Sequence, residues 1–362
     1  MNNSGTLSHS QPLYIQLYER LKKDIVNGIY PYGHRLPSKR IMAEETKASI
    51  ITVKHAYELL CDEGYLESRE RSGYYVSFRE DDGFVRSEKE MISYARPEYM
   101  MPELSFPFSV LARTMRRILT DYGEQVFEKA PNKGCVELRE EIRRYLGRNR
   151  SVYADIEQII VGSGAEYLYN LIVGLFGMGT VFALEYPSYE KIEKVYRAAG
   201  VQIEKLPLGE NGIESDALSS TRADILHVSP YRSFPSGITA SASKKHEYIR
   251  WAAQNDRYII EDDFESEFSV SRKAEDTMFA LSEHDNVIYM NTFSKTISGS
   301  LRAGYMVLPK RLVDRFDTEL GFYSCTVPTF EQLLISELIR NGDFERHINR
   351  VRRKKRRENC FF

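Results

Sequence analysis

The chain has 362 residues, 42% of them hydrophobic and 28% charged, with 50 lysines and arginines against 52 aspartates and glutamates. That length predicts two or three domains, and a formal charge of -2 excludes a global attraction to nucleic acid or to an anionic membrane, so any DNA contact has to come from a local patch. No apolar run approaches the ~18 residues of a membrane span, the polar start MNNSGTLSHSQ is no leader, and Cys61, Cys135, Cys325 and Cys360 share no ligand-like spacing, which together predict a cytoplasmic protein with reduced thiols, no metal and no membrane partner.

Residues 10–78 read as helix, helix, helix and hairpin. LYIQLYERLKKDIVNG repeats Leu13, Leu17, Leu21 and Ile25 every four residues and stops at Gly28, the spacing and the C-terminal signal of a helix. Ser38 in LPSKRIMAEET is an N-cap, and Ser49 is another, followed by Val53, Ala56, Tyr57 and Leu60 on one face. YLESRERSGYYVSF then reads as two strands around a Ser-Gly turn. This succession predicts a winged helix-turn-helix. Ten basic against nine acidic residues between 12 and 77 leave almost no net charge, so the cations must be clustered to hold DNA. Lys39 and Arg40 follow Ser38, Lys54 and His55 lie on the third helix, and Arg69 and Arg71 flank the wing tip at Ser72 and Gly73. The second helix of such a pair enters the major groove by its N-terminal end, which places Ser49, Thr52, Lys54 and His55 for phosphate or base-edge contacts.

Residues 79–103 are charged and aperiodic with two prolines, and predict a linker. Beyond it the runs IEQIIV, TVFAL, ADILHV, RYIIE and NVIYM alternate with stretches of helical spacing, which predicts an α/β domain over 104–362 with a mostly parallel sheet covered on both faces. Ligands of such sheets lie beyond the carboxyl ends of the strands. After IIV comes Ser163-Gly164-Ala165 leading into a helix, a backbone cradle for phosphate; after FAL comes Tyr189, an aromatic for a flat ring. YII is followed by EDDFESE, five carboxylates in seven residues, which taken alone reads either as a solvated acidic turn or as a metal site, though no histidine lies near and the spacing is not that of a calcium loop. NVIYM is followed by Thr292, Ser294, Lys295 and Arg302. One ligand uses all of these: pyridoxal phosphate needs an amine for a Schiff base, an acid for its ring nitrogen, a ring to stack on and cationic or hydroxyl donors for its phosphate.

The stretches PLYIQLYERLKKDIVNGIYPYGHRLPSKRIMAEE, TVKHAYELLCDEGYLESRERSGYYV, PNKGCVELREEIRRYL, IIVGSGAEYLYNLI, FPSGITAS, EDDFESEF and FSKTISGSLRAGYMVLP, in this order, resemble the MocR-type regulators of the GntR family, in which a winged helix-turn-helix is fused to a domain with the fold of type I aminotransferases. The resemblance implies Lys295 as the Schiff-base lysine, Arg302 and Thr292 as phosphate anchors, Asp262 as the partner of the pyridine nitrogen, Tyr189 as the stacking ring, and Ser163, Gly164 and Ala165 as the phosphate loop. It also supports Arg40 as a DNA contact and Gly73 as the wing tip.

Departures from the family pattern bear on function. Phe264 stands where the family usually has tyrosine, Tyr231-Arg232-Ser233-Phe234-Pro235 where it often has Ser-His-Gln-Phe-Pro, and Ile50 where it usually has arginine. FERHINRVRRKKRRENCFF matches the helix leading into the small C-terminal subdomain, its basic residues reading as an exposed helix face. The chain stops there, so the arginine that clamps substrate carboxylates in type I aminotransferases has no counterpart, and a truncated domain or a piece of a longer chain is expected. The resemblance implies a homodimeric regulator that binds double-stranded operator DNA and senses pyridoxal phosphate, or a small amino-compound effector reacting with it, through Lys295. The alternatives are a working aminotransferase with an accessory DNA-binding module, and a remnant that keeps DNA binding alone.

Overall fold

In the computed structural model, residues 12–70, 72–79, 106–269 and 276–359 are described, and the chain divides into two units between Tyr99 and Met100. The expected linker falls almost wholly outside the described residues, as does Arg71. None of the described helices is long and apolar enough to cross a membrane.

The first unit follows its apolar pattern closely. Helix α1, Leu13–Val26, buries Leu17, Leu21 and Ile25, while Leu13 at its open first turn stays exposed. Gly28 then takes a positive φ of 76° and ends the helix. Helices α2, Lys39–Thr46, and α3, Ile50–Asp62, are both capped as the sequence predicts: Ser38 Oγ accepts from the Ile41 amide and Ser49 Oγ from the Thr52 amide. Val53, Ala56, Tyr57 and Leu60 of α3 are fully buried against α1 and the hairpin. Strands β1, Leu66–Arg69, and β2, Gly73–Val76, pair antiparallel with Arg69 opposite Gly73, forming the wing.

The second unit is a layered α/β domain. After α4, Phe108–Tyr122, and α5, Val136–Arg150, come strand β3, Ile159–Gly162, helix α6, Ala165–Phe176, strand β4, Val181–Tyr186, and helix α7, Glu190–Ala198. Strands β5, Gln202–Gly209, and β6, Gly212–Ile213, precede helix α8, Ser215–Ser220, strand β7, Ile225–Val228, and helix α9, Ala242–Gln254. The remainder is β8, Tyr258–Asp262, α10, Met278–Leu281, β9, Val287–Thr292, β10, Gly304–Val307, α11, Val313–Glu319, α12, Thr329–Arg340, and α13, Asp343–Asn359.

Eight strands form one sheet in the order β3-β10-β9-β8-β7-β4-β5-β6. The pairs β4/β5, β4/β7, β7/β8 and β8/β9 are parallel, while β10 runs antiparallel to both β3 and β9. Alternation along each strand assigns side chains to opposite faces. Ile260 and Ile288 join Leu168 and Ile172 under α6, whereas Ile259 and Val287 join Tyr248 and Ala252 under α9. The same alternation sends Asp262 and Thr292, two and four residues further along, to the α6 face. A fully buried leucine or isoleucine is worth about 1.5–3 kcal/mol, so strand register is firmly held and these polar ends inherit it.

Candidate functional site

A cleft of about 320 Å³ opens where α6 begins and where β4, β8 and β9 end. Ala165, Tyr189, Asp262, Thr292, Lys295 and Arg302, all expected from the sequence, line it. Gly164 lies just behind Arg302: its φ is 91°, and a Cβ there would stand 3.2 Å from the Arg302 Nη2. Ser163 is not among the lining residues, and its hydroxyl accepts a 2.9 Å bond from Thr326 Oγ1. The first turn of α6 has Gly164 as N-cap and no side-chain capping bond, so its amides face the cleft's end as anion donors.

At the floor, Asp262 is buried. Its Oδ2 accepts a bond from the Tyr169 hydroxyl at 2.5 Å and lies 3.6 Å from His227 Nε2, while its Oδ1 is buried with no partner among the described residues. His227 is fixed by its Nδ1, 2.8 Å from the Tyr196 hydroxyl. A buried carboxylate oxygen without a donor is costly, and it suits a ligand that brings a ring N–H. Burial and the neighbouring Asp262 carboxylate push the Tyr169 phenol well above its ordinary value, so it remains a donor.

Lys295, half exposed on the loop after β9, gives its Nζ to Glu265 Oε1 at 2.8 Å and sits 4.2 Å from the Phe264 ring centre. Arg302, on the segment before β10, reaches Glu166 Oε1 with Nη2 at 3.4 Å, and Lys191 Nζ reaches the same oxygen at 2.6 Å. The Lys191 bond, helped by Arg302, holds the Glu166 carboxyl below the usual range. Tyr189 caps the mouth, its ring edge-on to Phe234 at 5.9 Å. The site therefore offers an amine, a cationic anion cradle, a buried carboxylate with one unpartnered oxygen and an exposed aromatic, which fit a flat, phosphorylated, nitrogen-containing aldehyde.

The EDDFESE run is not a solvated turn. Glu261, Asp262, Asp263 and Glu267 are all buried, each against its own donors. Glu261 accepts from the Met278 and Phe279 amides, Asp263 from Arg150 Nη2 at 2.6 Å and the Tyr289 hydroxyl at 2.7 Å, and Glu267 from the Tyr145 hydroxyl and Asn291. Burial raises Glu261 to about 7. Sequence reasoning missed these partners, as it missed Tyr169, His227, Glu166, Lys191 and Glu265. Tyr169 had a signal, lying four residues after Ala165 and so one turn along the same helix face; Lys191 had none.

In the winged module, Lys39 and Arg40 open α2 and Gly73 opens β2 with a φ of 117°. Lys54 and His55 are exposed on α3, Lys54 lying 3.5 Å from Glu58 and His55 edge-on to Tyr14. The Ser49 and Thr52 hydroxyls are 2.8 Å apart and engage each other at the start of α3. Ile50 and Ile51 stand beside them, 50% and 66% exposed, an apolar surface at the start of α3.

Comparison with known proteins matches these two units to two families. Residues 13–76 match the bacterial regulatory proteins of the gntR family, and residues 99–361 match aminotransferase class I and II. The chain is 33% identical over 359 residues to the "Uncharacterized HTH-type transcriptional regulator YdeL" of Bacillus subtilis (strain 168), covering 95% of this chain and 78% of that protein. It is 29% identical over 369 residues to the "Probable rhizopine catabolism regulatory protein MocR" of Rhizobium meliloti, covering 94% and 74%. Among solved structures it is similar to LysN, an α-aminoadipate aminotransferase of Thermus thermophilus complexed with N-(5'-phosphopyridoxyl)-L-leucine, at 27% identity and a TM-score of 0.62 over 70% of this chain. It spans 65% of that enzyme, a little under two thirds of its length. With the aminotransferase model over most of its length, a gntR module before it and that order shared with the regulator MocR, the chain belongs to the GntR/MocR regulators that carry an aminotransferase-like domain.

Proposed function

We propose that this regulator binds double-stranded operator DNA through its winged module and senses pyridoxal 5'-phosphate, or a small amino compound reacting with it, in the cleft around Lys295. One observation supports this above the others: Lys295, Arg302 and the buried Asp262, whose Oδ1 has no partner among the described residues, line the same cleft. When bound, pyridoxal phosphate supplies an aldehyde that captures amines and a ring that withdraws electrons. Asp262 would hold the ring N–H with Oδ1, kept in orientation by Tyr169 on Oδ2. Arg302, Thr292 and the amide of Ala165 would hold the phosphate, and Tyr189 would cover the ring. Phe264 has no hydroxyl to offer beside Lys295, which suits a ligand taken up and released more than one retained.

Sensing requires two states of the domain that bind the ligand unequally. Operators read by winged helices present two-fold related half-sites, so a homodimer is the fitting assembly. Ser38, Lys39, Arg40, Ser49, Thr52, Lys54, His55 and Gly73 would face the DNA. The test supplies pyridoxal phosphate to purified protein, records the near-visible absorbance band, traps with borohydride and maps the modified peptide. Wild type should carry the label on Lys295 and Lys295→Ala should carry none. Gel shifts with the chain's own upstream DNA should change on adding the cofactor. A colourless, unlabelled wild type whose shifts ignore the cofactor would end this reading, and sustained turnover of amino acids would favour an enzyme instead.

A further inference from the structure

We propose that Lys191 is a second phosphate-binding residue beside Arg302, and that Glu166 is a built-in competitor which reserves this subsite for a doubly charged group. The inference rests on the proposed ligand class and deepens it. Lys191 and Arg302 come from different elements, the first turn of α7 and the segment before β10, yet both donate to the same oxygen, Glu166 Oε1, at 2.6 and 3.4 Å. Two cations converging on one oxygen mark an anion position. All three side chains line the cleft that Asp262 also lines, so the anion position and the carboxylate with an unpartnered oxygen belong to one cavity.

The acids around Lys191 are engaged elsewhere: Glu190 pairs with Lys194, and Glu193 with Arg197 and Lys205. Among the described residues, Glu166 alone holds Lys191 at the cleft. Its carboxyl stays ionised at neutral pH, because Lys191 and Arg302 lower it. A ligand carrying one negative charge would replace Glu166 with an equal charge and gain little. A phosphate ester carries about -1.5 to -2 charges and three acceptor oxygens, enough to meet Lys191, Arg302 and the α6 amides together. Glu166 therefore discriminates against carboxylates, and Lys191 contributes affinity only when phosphate is present.

The experiment titrates full-length wild type, Lys191→Gln, Lys191→Arg and Glu166→Gln with pyridoxal phosphate and with unphosphorylated pyridoxal, reading absorbance, and measures thermal stabilisation by inorganic phosphate. Lys191→Gln should weaken pyridoxal phosphate roughly tenfold, the loss of one charged hydrogen bond, while leaving pyridoxal unchanged. Lys191→Arg should keep most of the affinity. Glu166→Gln should tighten pyridoxal phosphate and inorganic phosphate alike. An unchanged ratio between the two aldehydes in Lys191→Gln, or no tightening in Glu166→Gln, would overturn the proposal. If wild type takes neither aldehyde yet phosphate stabilises it through Lys191, the ligand reading fails while the anion subsite stands. Phosphate stabilisation that ignores Lys191 would remove the subsite.

Discussion

Asp262 has two oxygens with unequal surroundings, one bonded to Tyr169 and one buried without a donor. Such a carboxylate destabilises the fold it sits in. Asp262→Asn keeps the volume and removes the charge, so it should raise stability by about 1 kcal/mol in thermal melts while lowering pyridoxal phosphate retention at least tenfold in the absorbance titration. Glu185 on β4 is a different case, a buried carboxyl that accepts from Ser233 Oγ and the Ser229 amide. Burial is the main cause that raises it to about 8. Because the folded value lies above the unfolded one, the folded state binds the proton more tightly. That contribution is complete below about 4.5 and is lost as pH rises to about 8. Each pH unit between the two values is worth about 1.4 kcal/mol. Glu185→Gln should flatten the decline in melting temperature between pH 5 and 8 relative to wild type, and parallel curves for the two proteins would refute the assignment.

Elements carry two further predictions. The turn from β3 into α6 needs a positive φ at Gly164, and the backbone passes close under Arg302. Gly164→Ala should cost about 1 kcal/mol or more of stability and should shift Arg302, weakening phosphate binding beyond what the stability loss explains. Helix α3 begins at Ser49, whose hydroxyl caps the Thr52 amide at 3.0 Å. Ser49→Ala should cost about 1 kcal/mol in urea unfolding and should weaken DNA binding by more than that cost, since the fraying turn is the one expected in the groove. Both caps and the glycine stop of α1 were legible in the sequence because each is decided within one turn of chain. So were β3, β4, β7, β8 and β9, whose apolar runs are long enough to announce buried strands. Strand β5 was not legible, since its exposed, mixed pattern QIEKLPLG has no single buried face.

At the scale of the molecule, each unit has a core of its own. Leu17, Leu21, Val53, Tyr57, Leu60 and Val76 close the first core using residues of that unit alone, so residues 1–99 expressed separately should fold and unfold cooperatively with a far-UV spectrum of mixed helix and strand. A polypeptide that stays unfolded would show that the module depends on the rest of the chain. The second unit needs the whole sheet, because its core clusters mix strands from both ends of the sequence, as Ile160 with Ile288 and Met306 do.

The chain by itself determined the order of the two modules, the caps of α2 and α3 and five of the strands, because caps, turns and apolar periods depend on neighbours a few positions away, and with the family resemblance it pointed to six of the residues that line the cleft. It also determined that one amine and one cation would follow β9. Only the tertiary structure decided that β10 enters the sheet antiparallel between β3 and β9, bringing Arg302 to Glu166 across 136 positions. It likewise decided that the acidic run is buried against Arg150, Tyr289 and Tyr145 instead of facing water, and that Lys191 meets Arg302 on one oxygen. Strand order and the partners of buried charges are set by contacts between distant segments, and no local pattern encodes them.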